Sequence, residues 1–144
     1  MFTQTDSNWS GFEIIPGYTI KEGGCLLTSL SNILVDLGLD YNPLTLCKKL
    51  QANKGFDNIG EIEWSVLNNL FGLSEIKYSP NEKIVWSDSN KVWYIVQMFY
   101  QNTGHFCNIV SVKNNIIYYF DVYDGINKQV NIERTMSIRQ VTQQ

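Results

Sequence analysis

The side chains in this 144-residue chain that could form a nucleophilic centre are few: three cysteines, a single histidine and, in the segment after it, Asp121 and Asp124. Cys25 stands in "GYTIKEGGCLLTSLSNIL", directly after Gly23 and Gly24 and directly before leucines at helical spacing. A thiol at a helix N-terminus meets unpaired backbone N–H groups and the positive end of the helix dipole, and both favour the thiolate, the reactive form. Gly23 and Gly24 carry no side chains, so they let a substrate backbone approach the sulfur. Taken alone, such a cysteine is as readily a small core residue, because cysteine is among the most buried residue types.

His105 changes that balance. It is the only histidine of the chain and lies in "TGHFCNIV", at the mouth of an expected strand. One histidine does not make the usual multi-histidine zinc site. It does suffice as the general base of a cysteine hydrolase, which needs one further polar group to orient the ring. The segment "IIYYFDVYDG" offers Asp121 and Asp124. Side chains alternate faces along a strand, so hairpin register decides which of them meets His105. A three-residue loop over 113–115 pairs Cys107 with Asp121 and sets Asp121 diagonal to His105. A two-residue turn at Asn114 and Asn115 sets Asp124 opposite His105 instead. Asp124 precedes Gly125, a common turn pair, which favours Asp121 as the orienting residue. No D-x-D-x-D-G calcium loop surrounds Gly125.

The elements that must position these residues fall into two halves. Leu26, Leu27, Leu30, Ile33, Leu34 and Leu37 recur at three- and four-residue steps and predict a helix over about 25–38, with Gly38 at its end. In "YNPLTLCKKLQAN", Asn42 can cap, Pro43 suits the first helical position, and Leu44, Cys47 and Leu50 share a face, which makes Cys47 a core residue. "GEIEWSVLNNLFG" predicts a third helix that stops at Gly72. From residue 75 the texture changes to runs rich in Val, Ile, Tyr and Phe: "EIKYS", "KVWYIVQMFY", "HFCNIVSV", "IIYYFDVY" and "KQVNIER". Helices followed by strands predict one α+β domain over 1–144, with the His and Asp strands spanning about 105–123.

Bulk properties exclude several classes. A formal net charge of −3 and scattered lysines argue against nucleic-acid binding. The odd cysteine count without a C-x-x-C pair suggests neither a disulfide framework nor a zinc knuckle, so no metal or other cofactor is expected. No basic n-region followed by an apolar core opens the chain, and no apolar run reaches the roughly 20 residues that span a bilayer, so no membrane partner is expected and the compartment stays open.

The quoted segments together resemble the papain-like cysteine peptidases of the bacteriocin-leader (double-glycine) peptidase group and their bacterial and phage relatives. Thr19, Ile20, Gly24, Cys25, Thr28, Ser29 and Leu30 match that group's nucleophile segment, and Gly104, His105 and Phe106 its base segment; Asp121 lies sixteen residues beyond the histidine. The resemblance runs from about Trp9 to Gly125. It implies a papain-like fold with N-terminal helices on a C-terminal antiparallel sheet and a peptidase or amidase acting through Cys25, His105 and Asp121. It further implies substrate contacts at Tyr18, Gly24 and Gly104, and a peptide or cell-wall peptide as substrate, with assembly into a larger phage or bacterial complex as a further expectation. The group often carries a Gln about six residues ahead of the nucleophile as an oxyanion donor. Thr19 stands there, so Thr19 or Tyr18 is expected to donate beside the Cys25 N–H. The same triad also suits a transglutaminase-like acyl transferase, and the same fold suits a non-catalytic binding or virion module. The loops "YSPNEKIVWSDSNK" and "QNTG" are expected to shape the cleft.

Overall fold

A computed structural model describes residues 1–100 and 103–144. The chain opens with a small hairpin, β1 (Glu13–Ile15) and β2 (Tyr18–Thr19), then a single helical turn α1 (Ile20–Gly23), and the helices α2 (Cys25–Asp36), α3 (Pro43–Ala52) and α4 (Trp64–Phe71). Strands β3 (Leu73–Tyr78), β4 (Val92–Tyr100), β5 (Thr103–Lys113), β6 (Ile116–Phe120), β7 (Asn127–Asn131) and β8 (Thr135–Gln143) follow. They form one six-stranded antiparallel sheet in the order β3-β8-β4-β5-β6-β7. The architecture is therefore α+β.

The helix boundaries follow from local chemistry. Asn42 caps α3 by accepting from the Thr45 N–H at 2.9 Å, with Pro43 in the first turn where its missing N–H is harmless. Gly72 ends α4 with φ 69°, the left-handed conformation that only glycine adopts freely. In the six-stranded sheet, β8 is the strand that sequence patterning does not mark, and the β1–β2 hairpin and the turn α1 are likewise unmarked. In "TMSIRQVTQ" the polar residues break the alternation, yet Thr135 and Ser137 are as buried as Ile138 and Val141. The strand is inserted between β3 and β4 and draws its ladder from both.

Register around the β5–β6 hairpin combines two effects. Asn114 and Asn115 have φ 52° and 64° and close a two-residue turn with Lys113 opposite Ile116. Continued regularly, that turn would bring Asp124 across from His105. A β-bulge between Ile109 and Ser111 shifts the pairing by one residue, so that Asn108 pairs with Phe120. The continuation of that register sets Asp121 beside Cys107 and diagonal to His105, although the loop is the shorter one.

Two cores flank the sheet. On one face Leu27, Leu30, Ile33 and Leu34 of α2 pack with Leu46, Leu50 and Leu67 and with Ile95 and Val141 of the sheet. On the other, Tyr94, Val96, Cys107, Ile117 and Ile138 form a second cluster, against which Cys25 also packs. The loop "YSPNEKIVWSDSNK" belongs to that second cluster rather than to a cleft. Trp86 meets Tyr94 edge to face with centroids 4.7 Å apart, and the Tyr94 hydroxyl accepts from the Ser87 N–H at 2.7 Å.

Polar contacts lock α2 onto β5. Asn108 donates to the Ser29 carbonyl at 3.0 Å and accepts from Asn32 at 2.9 Å, all within the buried interface. This clamp lies three residues past His105 and four past Cys25, so it sets the distance between the two elements that carry them. Asn108→Ala removes the near acceptor of the Asn32 amide, which keeps only the Phe2 carbonyl at 3.4 Å, and the side-chain donor to the Ser29 carbonyl, and a loss of about 1–3 kcal/mol in urea denaturation is expected. An unchanged midpoint would show that the clamp does not hold the interface.

Candidate functional site

Cys25 is the first residue of α2, behind Gly24, and is partly exposed. The helix ladder opens with the Thr28 N–H donating to the Gly24 carbonyl at 2.8 Å, so the Cys25 N–H lies ahead of it. No acidic residue occupies the first turn of α2. Gly24 owes its identity to the junction between α1 and α2: a Cβ there would come 2.5 Å from the Ile20 carbonyl oxygen. Gly23, not Gly24, faces the cleft.

His105 and Asp121 meet at 2.8 Å between Nε2 and Oδ1, with both side chains largely buried. Asp121 lies just past the end of β6, and each of its oxygens is engaged. Oδ1 also accepts from the Tyr123 N–H at 2.9 Å, and Oδ2 receives the Lys128 ammonium at 2.8 Å. Lys128 reaches from β7 to Asp124 as well, at 2.7 Å. Asp124 caps the local turn by accepting from the Ile126 N–H at 3.0 Å. With Nε2 committed to Asp121, Nδ1 is the ring nitrogen left for Cys25.

The electrostatics follow from these partners. Burial by itself raises the Asp121 pKa, but the hydrogen bonds from His105, Lys128 and Tyr123 overcome it and hold the carboxyl down at about 2. For His105, burial by itself lowers the pKa, yet the net direction is upward, through the neighbouring Cys107, Cys25 and Asp121 side chains. Lys128 is held protonated by Asp121 and Asp124. Cys107 and Cys47 are fully buried, and burial pushes both thiols up, Cys47 to about 11. Each stays a neutral thiol at neutral pH.

Cys107 follows His105 by two residues on the same face of β5, with Sγ 3.6 Å from Asp121 Oδ1. The ligand-type atoms of His105, Cys107 and Asp121 lie within 4.8 Å of one another, close enough to hold a cation. The hydrogen bonds just described already occupy both Asp121 oxygens, and the Cys107 thiol is the neutral form.

Two cavities, of about 490 and 550 Å³, share Cys25, Thr103 and Gly104. The first continues past Tyr18, Gly23, Trp64, Gln97 and Phe106; the second past Gln4, His105, Tyr119, Asp121 and Lys128. Gly104 thus lies on both sides of the nucleophile, and a cleft runs across Cys25. Of the "QNTG" loop, Thr103 and Gly104 line it, while Gln101 and Asn102 lie outside the described residues. No residue of "YSPNEKIVWSDSNK" lines either cavity.

The expected Thr19 donor does not fit this geometry. Thr19 is the N-cap of α1, its hydroxyl donating to Glu22 at 2.9 Å and accepting from the Glu22 N–H at 3.3 Å, and it lines neither cavity. Thr-x-x-Glu is a capping box, and this signature was present in the sequence. Tyr18 does line the first cavity, its ring filling the space that a Gly23 side chain would take. Its hydroxyl pKa is raised, first by burial and then by Cys25, Glu22 and Glu61, so it remains an O–H donor.

Cys107 and Lys128 join the site without a motif of their own. Cys107 could be read from its place two residues after His105, because i and i+2 on a strand share a face. Lys128 reaches Asp121 only through strand order, which no local pattern carries. No protein-family model matches the chain, and no curated protein matches it.

Proposed function

We propose that the chain is a papain-like cysteine peptidase or amidase that cleaves a peptide or amide bond through a thioester. The observation that carries this reading is the His105–Asp121 pair at 2.8 Å in a cavity that Cys25 also lines. In the reaction, His105 carries the Cys25 thiol proton as the imidazolium, and the Cys25 thiolate attacks the carbonyl carbon. The Cys25 N–H and the Tyr18 hydroxyl donate to the oxyanion, in place of the Gln-type donor that this fold often uses. The tetrahedral intermediate collapses, His105 delivers its proton to the leaving amine, and the acyl group stays on sulfur. Water then attacks the thioester with His105 as base and releases the acid. Asp121 keeps Nε2–H in place, which leaves Nδ1 free to exchange the proton with the thiol. A cleft that extends to both sides of Cys25 suits an extended chain with residues on each side of the scissile bond.

The test is alkylation by iodoacetamide at about pH 6, where an ordinary thiol is almost wholly protonated. Peptide mapping is expected to place the label on Cys25, at a rate about tenfold or more above that of the same cysteine in the urea-unfolded chain. Equal rates folded and unfolded would leave a binding module on this fold as the better description.

A further inference from the structure

We propose that Gln97 is a substrate-positioning residue: its side-chain amide donates to a main-chain carbonyl of the peptide lying in the first cavity, beside Gly104. This rests on the peptidase reading above and adds to it the group that grips the substrate backbone.

The orientation of the Gln97 amide is dictated by its neighbours. Arg139 Nε donates to Ser137 Oγ at 3.2 Å, which turns the Ser137 hydroxyl proton toward Gln97 Oε1 at 2.7 Å. Arg139 Nη2 donates to the same oxygen at 3.2 Å, and Nη1 is held by Glu75 at 3.1 Å. Arg139 also lies over the Phe106 ring, 5.2 Å from its centroid. Flipping the Gln97 amide would set an NH₂ group against the guanidinium, donor against donor, so Oε1 must face Arg139 and Nε2 must face away. Ser137 is fully buried, and the Arg139 side chain is 13% exposed, so the support is rigid and shielded from solvent.

The other end of the amide is open. Among the described residues the Nε2 group donates to no acceptor, and Gln97 lines the cavity that contains Cys25. It lies directly over Gly104: a Cβ on residue 104 would come 2.3 Å from Nε2. The glycine that precedes His105 therefore leaves room for a donor whose two N–H bonds have no partner among the described residues. A peptide carbonyl is the acceptor that this donor suits, with Phe56, Ile62, Trp64 and Phe106 forming apolar walls for the neighbouring side chain.

The probes are two thiol alkylators that differ in whether they carry a peptide backbone: iodoacetamide and a blocked leucyl-phenylalanyl chloromethyl ketone. Gln97→Glu is the discriminating variant, because it keeps an oxygen for Ser137 and Arg139 and replaces only the NH₂ donor with an acceptor. The Cys25 labelling rate by the peptide reagent is expected to fall about tenfold, the equivalent of one hydrogen bond, while the rate with iodoacetamide stays unchanged. Should Gln97→Glu fold poorly by circular dichroism, Gln97→Met removes the same donor at similar length and is expected to give the same change in ratio. An unchanged ratio of the two rates, or a wild type that shows no preference for the peptide reagent, overturns the role of Gln97. A wild-type Cys25 that reacts with iodoacetamide no faster than in the unfolded chain overturns the peptidase reading instead, so the two failures are distinguishable.

Discussion

Replacing Cys25 with alanine is expected to leave on the order of a thousandth or less of the wild-type turnover, measured by mass spectrometry on a peptide pool. The size of the effect follows from what is removed. Without the sulfur no thioester forms, and His105 has no thiol to deprotonate; only binding and the oxyanion donors remain. The fold should be unaffected, because position 25 is partly exposed and alanine is the best helix former. Cys47→Ala makes the matched control: it empties a buried site in the helical core and lowers stability, but leaves turnover intact because Cys47 lines neither cavity. Retention of full activity by Cys25→Ala would rule out covalent catalysis by this residue.

Asp121→Asn is expected to lower turnover by a factor on the order of a thousand and to alter two pH-dependent properties as well. An asparagine that keeps its Oδ1 toward His105 no longer offers the ring a negative charge, and Lys128 loses its inner partner. The first readout is the titration of His105, which as the only histidine contributes one imidazole C2–H resonance in the proton spectrum. In the wild type its midpoint is expected above the ordinary value of 6.5, with the imidazolium populated at neutral pH. In the variant the midpoint falls, because the ring loses the carboxylate while its burial, which disfavours the imidazolium, remains. The alkaline limb of the activity profile, which reports loss of the imidazolium, should move in the same direction.

The second readout is stability. Asp121 titrates at 3.8 in the unfolded chain and at about 2 in the fold. A depressed carboxyl pKa contributes stability that is fully present above the unfolded value and is lost as pH falls toward the folded one. That contribution amounts to about 2 kcal/mol at pH 7. Wild type and Asp121→Asn should therefore differ in urea midpoint at neutral pH and converge between about pH 4 and pH 2. A gap that persists unchanged at the acid end would assign the loss to packing rather than to the ionised carboxylate.

Helices α2, α3 and α4 and strands β3 to β7 are legible in the sequence, because each carries a local signal. Asn42 and Pro43 start a helix, Gly38 and Gly72 stop one, leucines at three- and four-residue steps face a core, and β-branched and aromatic runs pair as strands. The sequence also singled out Cys25, His105 and Asp121, since a lone histidine has few partners to choose from. Three matters were left to the tertiary structure. Strand β8 has too polar a pattern to announce itself and becomes a strand because β3 and β4 both offer it ladders. The meeting of His105 with Asp121 depends on a bulge at Val110 that offsets a two-residue turn, and a bulge leaves no mark in "NIVSVKNNII". The supporting groups, Lys128 on Asp121 and Arg139 with Ser137 on Gln97, come from strands 7 to 42 residues away. Local sequence encodes which conformation a segment prefers. Which side chains face one another across a sheet is set by strand order and register, and these are chosen by burial of the whole chain at once.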